Sequence, residues 1–220
     1  MSFMSIIQCF LKPSGITAHL IKLKDDSLIL DVGCANGSCS KIKKILPRCY
    51  YHCIDINKQN INEMKKINDY TISSSRDFSR AISRINREFD CVISKHNLEH
   101  CEDWKGTLNS MIKKVKVNGY IYLSFPSSQS TNYPSRKGTL NFYDDSTHNH
   151  IIDSHFVIDE LVNNSFEIMT YKKKYQPIGL YFIGFLVEPF SKLFNKVLIG
   201  TWEYYGFETI IIARKIKMNE

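Results

Sequence analysis

Between Leu28 and Pro126, short apolar runs alternate with segments whose apolar residues recur every three to four positions. The runs "SLILDVG", "YYHCIDI", "DCVISK" and "YIYLSFP" are rich in Ile, Val, Leu and Tyr, the pattern of strands buried on both faces. "YTISSS" reads as a weaker strand. The intervening "SCSKIKKIL", "NKQNINEMKKI", "SRAISRINREF" and "WKGTLNSMIKKVK" read as helices, the first stopping at Pro47. Alternation of this kind predicts βαβ units and a parallel sheet covered on both sides, with a turn at Asn118-Gly119 before the fifth strand. Past Pro126 the pattern breaks into "SSQSTNYPSRKGTLNFYDDSTHNH". A loop of that length in a compact fold is usually functional. Regularity returns with a helix near "DSHFVIDELVNN", a strand near "FEIMTYKKKY", an aromatic-rich insert and a last strand, "FETIIIARK".

Composition narrows the picture. A chain of 220 residues, 43% hydrophobic and 23% charged, can bury a core without staples and is not a disordered segment. The net charge of +7 fits either an anionic partner or a solvated basic surface. Seven cysteines (Cys9, Cys34, Cys39, Cys49, Cys53, Cys91, Cys101) form no C-x-x-C pair and are expected to be reduced and mostly buried. No uncharged apolar run reaches the ~18 residues of a spanning helix, and the N-terminus lacks the layout of a secretory signal. These features predict a cytoplasmic protein, with peripheral placement at the inner membrane face left open.

Chemistry enters with "LILDVGCANGS", which passes from strand to helix through Asp31, Gly33, Cys34, Ala35, Asn36 and Gly37. Small residues there let the backbone turn sharply and approach a ligand beside a helix N-terminus. Eighteen residues beyond Gly37, Asp55 closes the second strand, where a carboxylate can accept both ribose hydroxyls of an adenosine ligand. The spacing D-x-G-x-A-x-G is not that of a dinucleotide fingerprint, and no Walker lysine follows. It resembles the S-adenosylmethionine loop of class I methyltransferases, with Ala35 at the family's middle glycine. "FDCVISKHNLEHCED" followed by "NGYIYLSFP" extends the likeness over roughly Leu28 to Ser127.

The resemblance implies an α/β, Rossmann-like class I methyltransferase fold: a mostly parallel seven-stranded sheet, helices on both faces, and an antiparallel last strand. It implies one domain, with residues 1–27 an N-terminal helical cap, 28–127 the cofactor-binding half and 128–220 the acceptor side. It places the methionine and ribose pocket at Asp31, Gly33, Ala35 and Gly37, with Asp55 on the ribose and Ile56 on adenine. Ser94, Lys95 and His96 line the sulfonium side, and Arg76 or Asp77 reaches the adenine edge. "RKGTLNFYDDSTHNH" and "GTWEYYGFETIIIARK" are similar to segments of bacterial methyltransferases associated with surface-polysaccharide gene sets.

Methyl transfer to a hydroxyl needs alignment and a base, and histidine suits the second task. Five of seven histidines lie in two groups, His96 and His100 after strand four and His148, His150 and His155 after strand five. At the C-terminal edge of an open sheet these groups are expected to converge. His148 is the preferred base, steered by Asp144 or Asp145. A divalent metal at "HNLEH" is the alternative, not favoured because His96 stands where a related enzyme type has glutamate. The same residues also admit plainer readings: Glu99-His100 packing under a loop, and Asp144-Asp145 forming an Asx-turn. Arg136, Lys137 and Lys172–Lys174 are candidate grips for a phosphate or carboxylate. The expected partner is therefore an anionic small molecule or glycan acceptor, with the 175–205 insert serving as a lid or homodimer face. Nucleic acid is disfavoured, because no N/D-P-P-Y/F motif follows strand four and no basic stripe carries stacked aromatics. A nucleic-acid methyltransferase and a silent adenosylmethionine-binding subunit are the competing classes.

Overall fold

The computed structural model describes residues 15–35, 37–58 and 61–217. Helix α1 (Gly15–Leu20) precedes strand β1 (Leu28–Val32), α2 (Ser38–Ile45), β2 (Tyr50–Asp55), α3 (Ile61–Met64) and β3 (Asp69–Ile72). Then come α4 (Phe78–Arg84), β4 (Phe89–Lys95), α5 (Trp104–Lys113), β5 (Val115–Pro126), α6 (Ser154–Asn163) and β6 (Phe166–Lys172). The chain closes with α7 (Ile178–Leu193), α8 (Thr201–Tyr205) and β7 (Glu208–Lys215). The strands form one seven-stranded sheet in the order β3-β2-β1-β4-β5-β7-β6. All pairs from β3 to β5 are parallel, while β7 runs antiparallel to both β5 and β6. The expected sheet is therefore present.

Its two faces follow from residue parity. Leu30, Val32, Val92, Ile121 and Leu123 pack with α5 and α6 on one side, through Leu108, Met111, Val157 and Leu161. Ile29, Tyr51, Cys53, Cys91, Ile93 and Tyr122 meet Leu20 of α1 and Cys39 and Ile42 of α2 on the other. Central strands buried on both sides cannot alternate polar and apolar residues, which explains the continuous apolar runs.

Three expectations change. Asn118-Gly119 does not end an element: Asn118 takes φ 67 within β5, opposite a register shift between Phe89 and Cys91 of β4. The cysteines are not all isolated, since Cys34 and Cys53 lie sulfur to sulfur with Cα atoms 5.8 Å apart. Parallel β1 and β2 set Val32 beside Ile54, and Gly33 N and Cys34 N both donate to the Ile54 carbonyl, so Cys34 folds over Cys53. Cys39, Cys49, Cys91 and Cys101 are buried, and Cys9 lies outside the described residues.

The third change concerns Arg136, which is not presented to a ligand. It is only 5% exposed and donates from both terminal nitrogens to Glu188 of α7, at 2.7 and 2.6 Å, and to Ser191 Oγ at 2.6 Å. Tyr205 of α8 donates to the same glutamate. The insert is thus tied to the loop after β5 by a buried, bidentate ion pair. Glu188→Ala leaves a buried guanidinium without its carboxylate and is expected to cost about 3–5 kcal/mol of unfolding free energy by urea titration. Arg136→Met/Glu188→Met, which removes both charges, should recover most of that loss. A Glu188→Ala midpoint equal to wild type would show that the pair does not hold the insert.

Candidate functional site

The glycine loop does what its spacing requires. Gly33 has φ 78, and a Cβ there would lie 2.5 Å from the Asn97 side chain, so only glycine fits between β1 and the loop after β4. Gly37 has φ 87, faces open space, and opens α2. Asn36 lies outside the described residues. Together with Asp31, Ala35, Ser38, Lys95, His96 and Trp202, Gly33 lines a cavity of about 320 Å³ at the C-terminal edge of the sheet. That is within the range of small-molecule sites. A more open groove of about 650 Å³ runs beside edge strand β3, lined by Tyr50, His52, Asp77 and Arg80. It touches neither the glycine loop nor the clustered histidines, so the chemistry is assigned to the smaller cavity.

Asp55 stands at the C-terminal end of β2, where its Oδ1 accepts from Asn57 N, and Ile56 beside it is half exposed. Arg76 is engaged by Glu102 at 2.6 Å, and Asp77 accepts from the Ser74 hydroxyl. Neither lines the glycine-loop cavity. Ser94 is buried, and its Oγ has no hydrogen-bond partner among the described residues. The cavity is lined by the glycine cradle, Asp31, Lys95 and His96, while Asp55 and Ser94 stand at the neighbouring strand ends and do not line it.

His96 follows β4 with φ 47, a strained conformation for a non-glycine residue. Its Nδ1 donates to Glu99 Oε1 at 3.3 Å, and its Nε2 lies 3.3 Å from Glu208 Oε1, an ion-pair distance without good hydrogen-bond alignment. Burial opposes charge on this ring, but Glu208 and Glu99 outweigh it and raise its pKa to about 9. His96 is therefore a half-buried cation, stacked on Phe207 and tilted against Trp202. Sequence reasoning did not find Glu208. The antiparallel β7 begins where the parallel strands end, with Glu208 opposite Pro126 of β5, and so delivers a carboxylate to the active edge from the far end of the chain. The only sequence hint was the resemblance carried by "GTWEYYGFET".

On the other side of His96 and Trp202 lies a second cavity of about 120 Å³, also lined by His100, Thr139, Asp145, His148 and Phe207. The two histidine groups meet here through His96, His100 and His148 alone. Asn149 N and His150 N donate to the Glu99 carbonyl, and the Asn149 side chain donates to the His100 carbonyl. The His100 and His148 rings are 4.8 Å apart. His148 Nδ1 lies 2.7 Å from the Phe142 carbonyl, which can only accept, so Nδ1 carries the proton and Nε2 is the lone-pair nitrogen of the neutral ring. His100 is oriented the same way, with Nδ1 on the Thr147 carbonyl and hydroxyl at 3.2 and 2.9 Å. His150 instead meets the Glu102 carbonyl and His155 the Tyr171 ring, both away from this cavity.

The paired aspartates separate. Asp144 accepts from the backbone of Arg136, Leu140 and Asn141 and from the Ser135 hydroxyl. Burial raises its pKa, and those donors outweigh it and hold it below the usual range. It knots the loop and does not steer His148. Asp145 accepts from Thr147 N and Oγ1, an Asx-turn, while its Oδ2 stays 3.9 Å from His148 Nε2.

Asp31 is fully enclosed. Burial raises its pKa to about 6, against a 2.5 Å hydrogen bond from Tyr51 that lowers it. The folded value lies above the unfolded one, so its stabilising contribution is complete below about pH 4 and fades as pH rises through 6. A shift of two units corresponds to roughly 3 kcal/mol. In Asp31→Asn, the stability difference between pH 4 and pH 8, measured by urea titration, should shrink by up to that amount. An unchanged difference would remove Asp31 as its source.

Comparison with known proteins agrees with this geometry. Residues 8–170 match the methyltransferase domain family Methyltransf_23. A methyltransferase of Bacillus subtilis, YrhH, is 24% identical over 112 residues, which cover 49% of this chain and 62% of that protein. The chain thus spans less than two thirds of that relative's length. Among solved structures, a SAM-dependent methyltransferase from Archaeoglobus fulgidus superposes with TM-score 0.54 at 20% identity, over 97% of this chain and 100% of the other. The N-methyltransferase NodS from Bradyrhizobium japonicum, in complex with S-adenosyl-L-homocysteine, superposes with TM-score 0.53 at 14% identity, over 98% of both chains. A glycine loop cradling a cavity at the end of β1, on a 3-2-1-4-5-7-6 sheet matched to this family, makes the chain a member of the S-adenosylmethionine-dependent methyltransferase domain family.

Proposed function

We propose that the chain transfers a methyl group from S-adenosylmethionine to a hydroxyl of a sugar, phosphosugar or other small glycan precursor. One observation carries the reading: His96 and Trp202 form a wall common to the cofactor-side cavity and the cavity that holds His148. A donor on one side and an acceptor on the other would meet at that wall. Gly33, Gly37 and Asp31 would hold the methionine end, Asp55 the ribose, and Ser94 and Lys95 the sulfonium side. Bound S-adenosylmethionine supplies an electrophilic methyl group on a positively charged sulfur. His148 Nε2 takes the acceptor's hydroxyl proton, and the Phe142 carbonyl fixes the tautomer that makes this nitrogen the acceptor. His96, held charged by its two carboxylates, positions Trp202 and Phe207 and is not the base. The net charge of +7 supports an anionic acceptor. The polysaccharide context rests on sequence resemblance, and an N-methyltransferase with the same fold shows that fold does not choose the atom methylated.

A second reading has its own observation. Glu99, His100 and His148 each bring a donor atom within 4.8 Å of the others, and Glu99 Oε2 is buried without a hydrogen-bond partner among the described residues. Two imidazoles and a carboxylate suit zinc or manganese, which would acidify the acceptor hydroxyl in place of a base.

Three measurements separate these outcomes. Asp55→Ala should weaken S-adenosylhomocysteine binding by calorimetry at least tenfold, and unchanged binding would overturn the cofactor assignment. His148→Ala should lower turnover on phosphosugar or nucleotide-sugar acceptors by about 10²–10⁴ while cofactor affinity holds. Full turnover removes it as the base. Exhaustive chelation should leave turnover intact, whereas loss reversed by zinc or manganese selects the second reading.

A further inference from the structure

Helix α7 is amphipathic in the wrong sense for a soluble protein. Its inward face is small or polar. Gly184 sits so close to Gly200 that a Cβ would lie 2.0 Å from the Gly200 carbonyl oxygen. Glu188 and Ser191 bind Arg136, and Tyr181 tilts against Tyr204. Its outward face carries Phe182, Phe185, Leu186, Phe190 and Leu193, continued by Phe194, all between 50% and 76% exposed. Spacings of three and four residues put them on one stripe. Apolar exposure on this scale marks a surface that meets a partner.

We propose that this stripe lies in the interface of an anionic lipid bilayer, parallel to its plane. Charge selects the partner. The one acidic residue of α7, Glu188, is turned inward and neutralised by Arg136, so the outward face carries no carboxylate. Exposed Lys192 and Lys196 edge its C-terminal end, and Lys137 is brought alongside by backbone pairing with Asn195 and Val197. Phenylalanine and leucine beneath a lysine rim are the composition of an in-plane interfacial helix, whose apolar side sits ~5–10 Å into the headgroup region. A second copy is a poorer occupant, because its face offers the same lysines a like face with no acid to pair them. Sixteen residues span about 24 Å as a helix, and no helix among the described residues is long and apolar enough to cross a membrane. The inner face of α7 fixes Arg136, whose backbone N–H binds Asp144 in the loop that carries His148. Docking therefore sets the acceptor cavity beside the lipid surface, whatever the acceptor is.

The test is flotation of the full chain with vesicles of phosphatidylcholine alone or of phosphatidylcholine with phosphatidylglycerol. The wild type should float with the anionic vesicles only, and less so as salt rises. Phe182→Ser/Leu186→Ser/Phe190→Ser should abolish flotation, and Lys192→Glu/Lys196→Glu should weaken it roughly tenfold or more. These side chains are exposed, and S-adenosylhomocysteine binding by each variant checks that the fold is retained. Three results would overturn the proposal: no flotation of the wild type, equal flotation on neutral vesicles, or flotation indifferent to both variants. A dimer by light scattering that the serine variant dissociates, without vesicle binding, would assign the face to a second copy instead.

Discussion

The working edge of this sheet depends on a half-buried imidazolium. His96 adopts a left-handed backbone conformation, uncommon outside glycine, and so places its ring between Glu99 and Glu208. Glu99 sits one turn further along the same loop, while Glu208 begins the last strand. The contact thus joins the cofactor-side loop to the C-terminal part of the chain. Burial raises the pKa of Glu208, and His96 reverses the shift, so each charge exists because the other is there. Trp202 and Phe207 close against the ring, and Trp202 Nε1 donates to the Thr139 carbonyl across the mouth of the loop. The imidazolium and Trp202 thus form the wall that the two cavities share.

A second charge, this one buried, organises what lies beyond that wall. Arg136 holds α7 through Glu188, and its own backbone N–H belongs to the knot around Asp144. The loop from Ser135 to His150 is long but not slack, because one carboxylate gathers four donors and the Asn141 side chain caps the turn it starts. Burying a polar pair beneath α7 has a geometric consequence. The face that would ordinarily make a hydrophobic core contact is turned outward instead.

The features legible in the sequence were those whose partners lie close along the chain. The glycine loop, the strand-end Asp55, the parallel run of strands and the convergence of two histidine groups could all be read from spacing. Reading failed where the decisive partner was remote. Arg136 looked like a free cation because its carboxylate lies 52 residues away on another element. Asp144 and Asp145 looked equivalent, yet one is a structural hub and the other an Asx-turn, a difference set by which backbone N–H groups the fold brings near. Cys34 and Cys53 became neighbours only through the β1–β2 register. Glu208 was invisible because its role depends on β7 running backwards. The topology that brings it to the site is visible as a pattern, but the residue it delivers is not.

That dependence on partners also explains why five histidines of one type do not share one job. A carboxylate beside an imidazole favours the cation, whereas a carbonyl accepting from Nδ1 fixes a tautomer and leaves Nε2 as an acceptor. His96 has two carboxylates and is held charged. His148 and His100 have carbonyls, from Phe142 and Thr147, and turn their remaining nitrogens toward the acceptor cavity. His96, held charged, lines both cavities, whereas His100 and His148 line only the smaller one. On the proposed function, the acceptor's proton therefore meets an open ring nitrogen only at the smaller cavity, because both His96 nitrogens already face carboxylates.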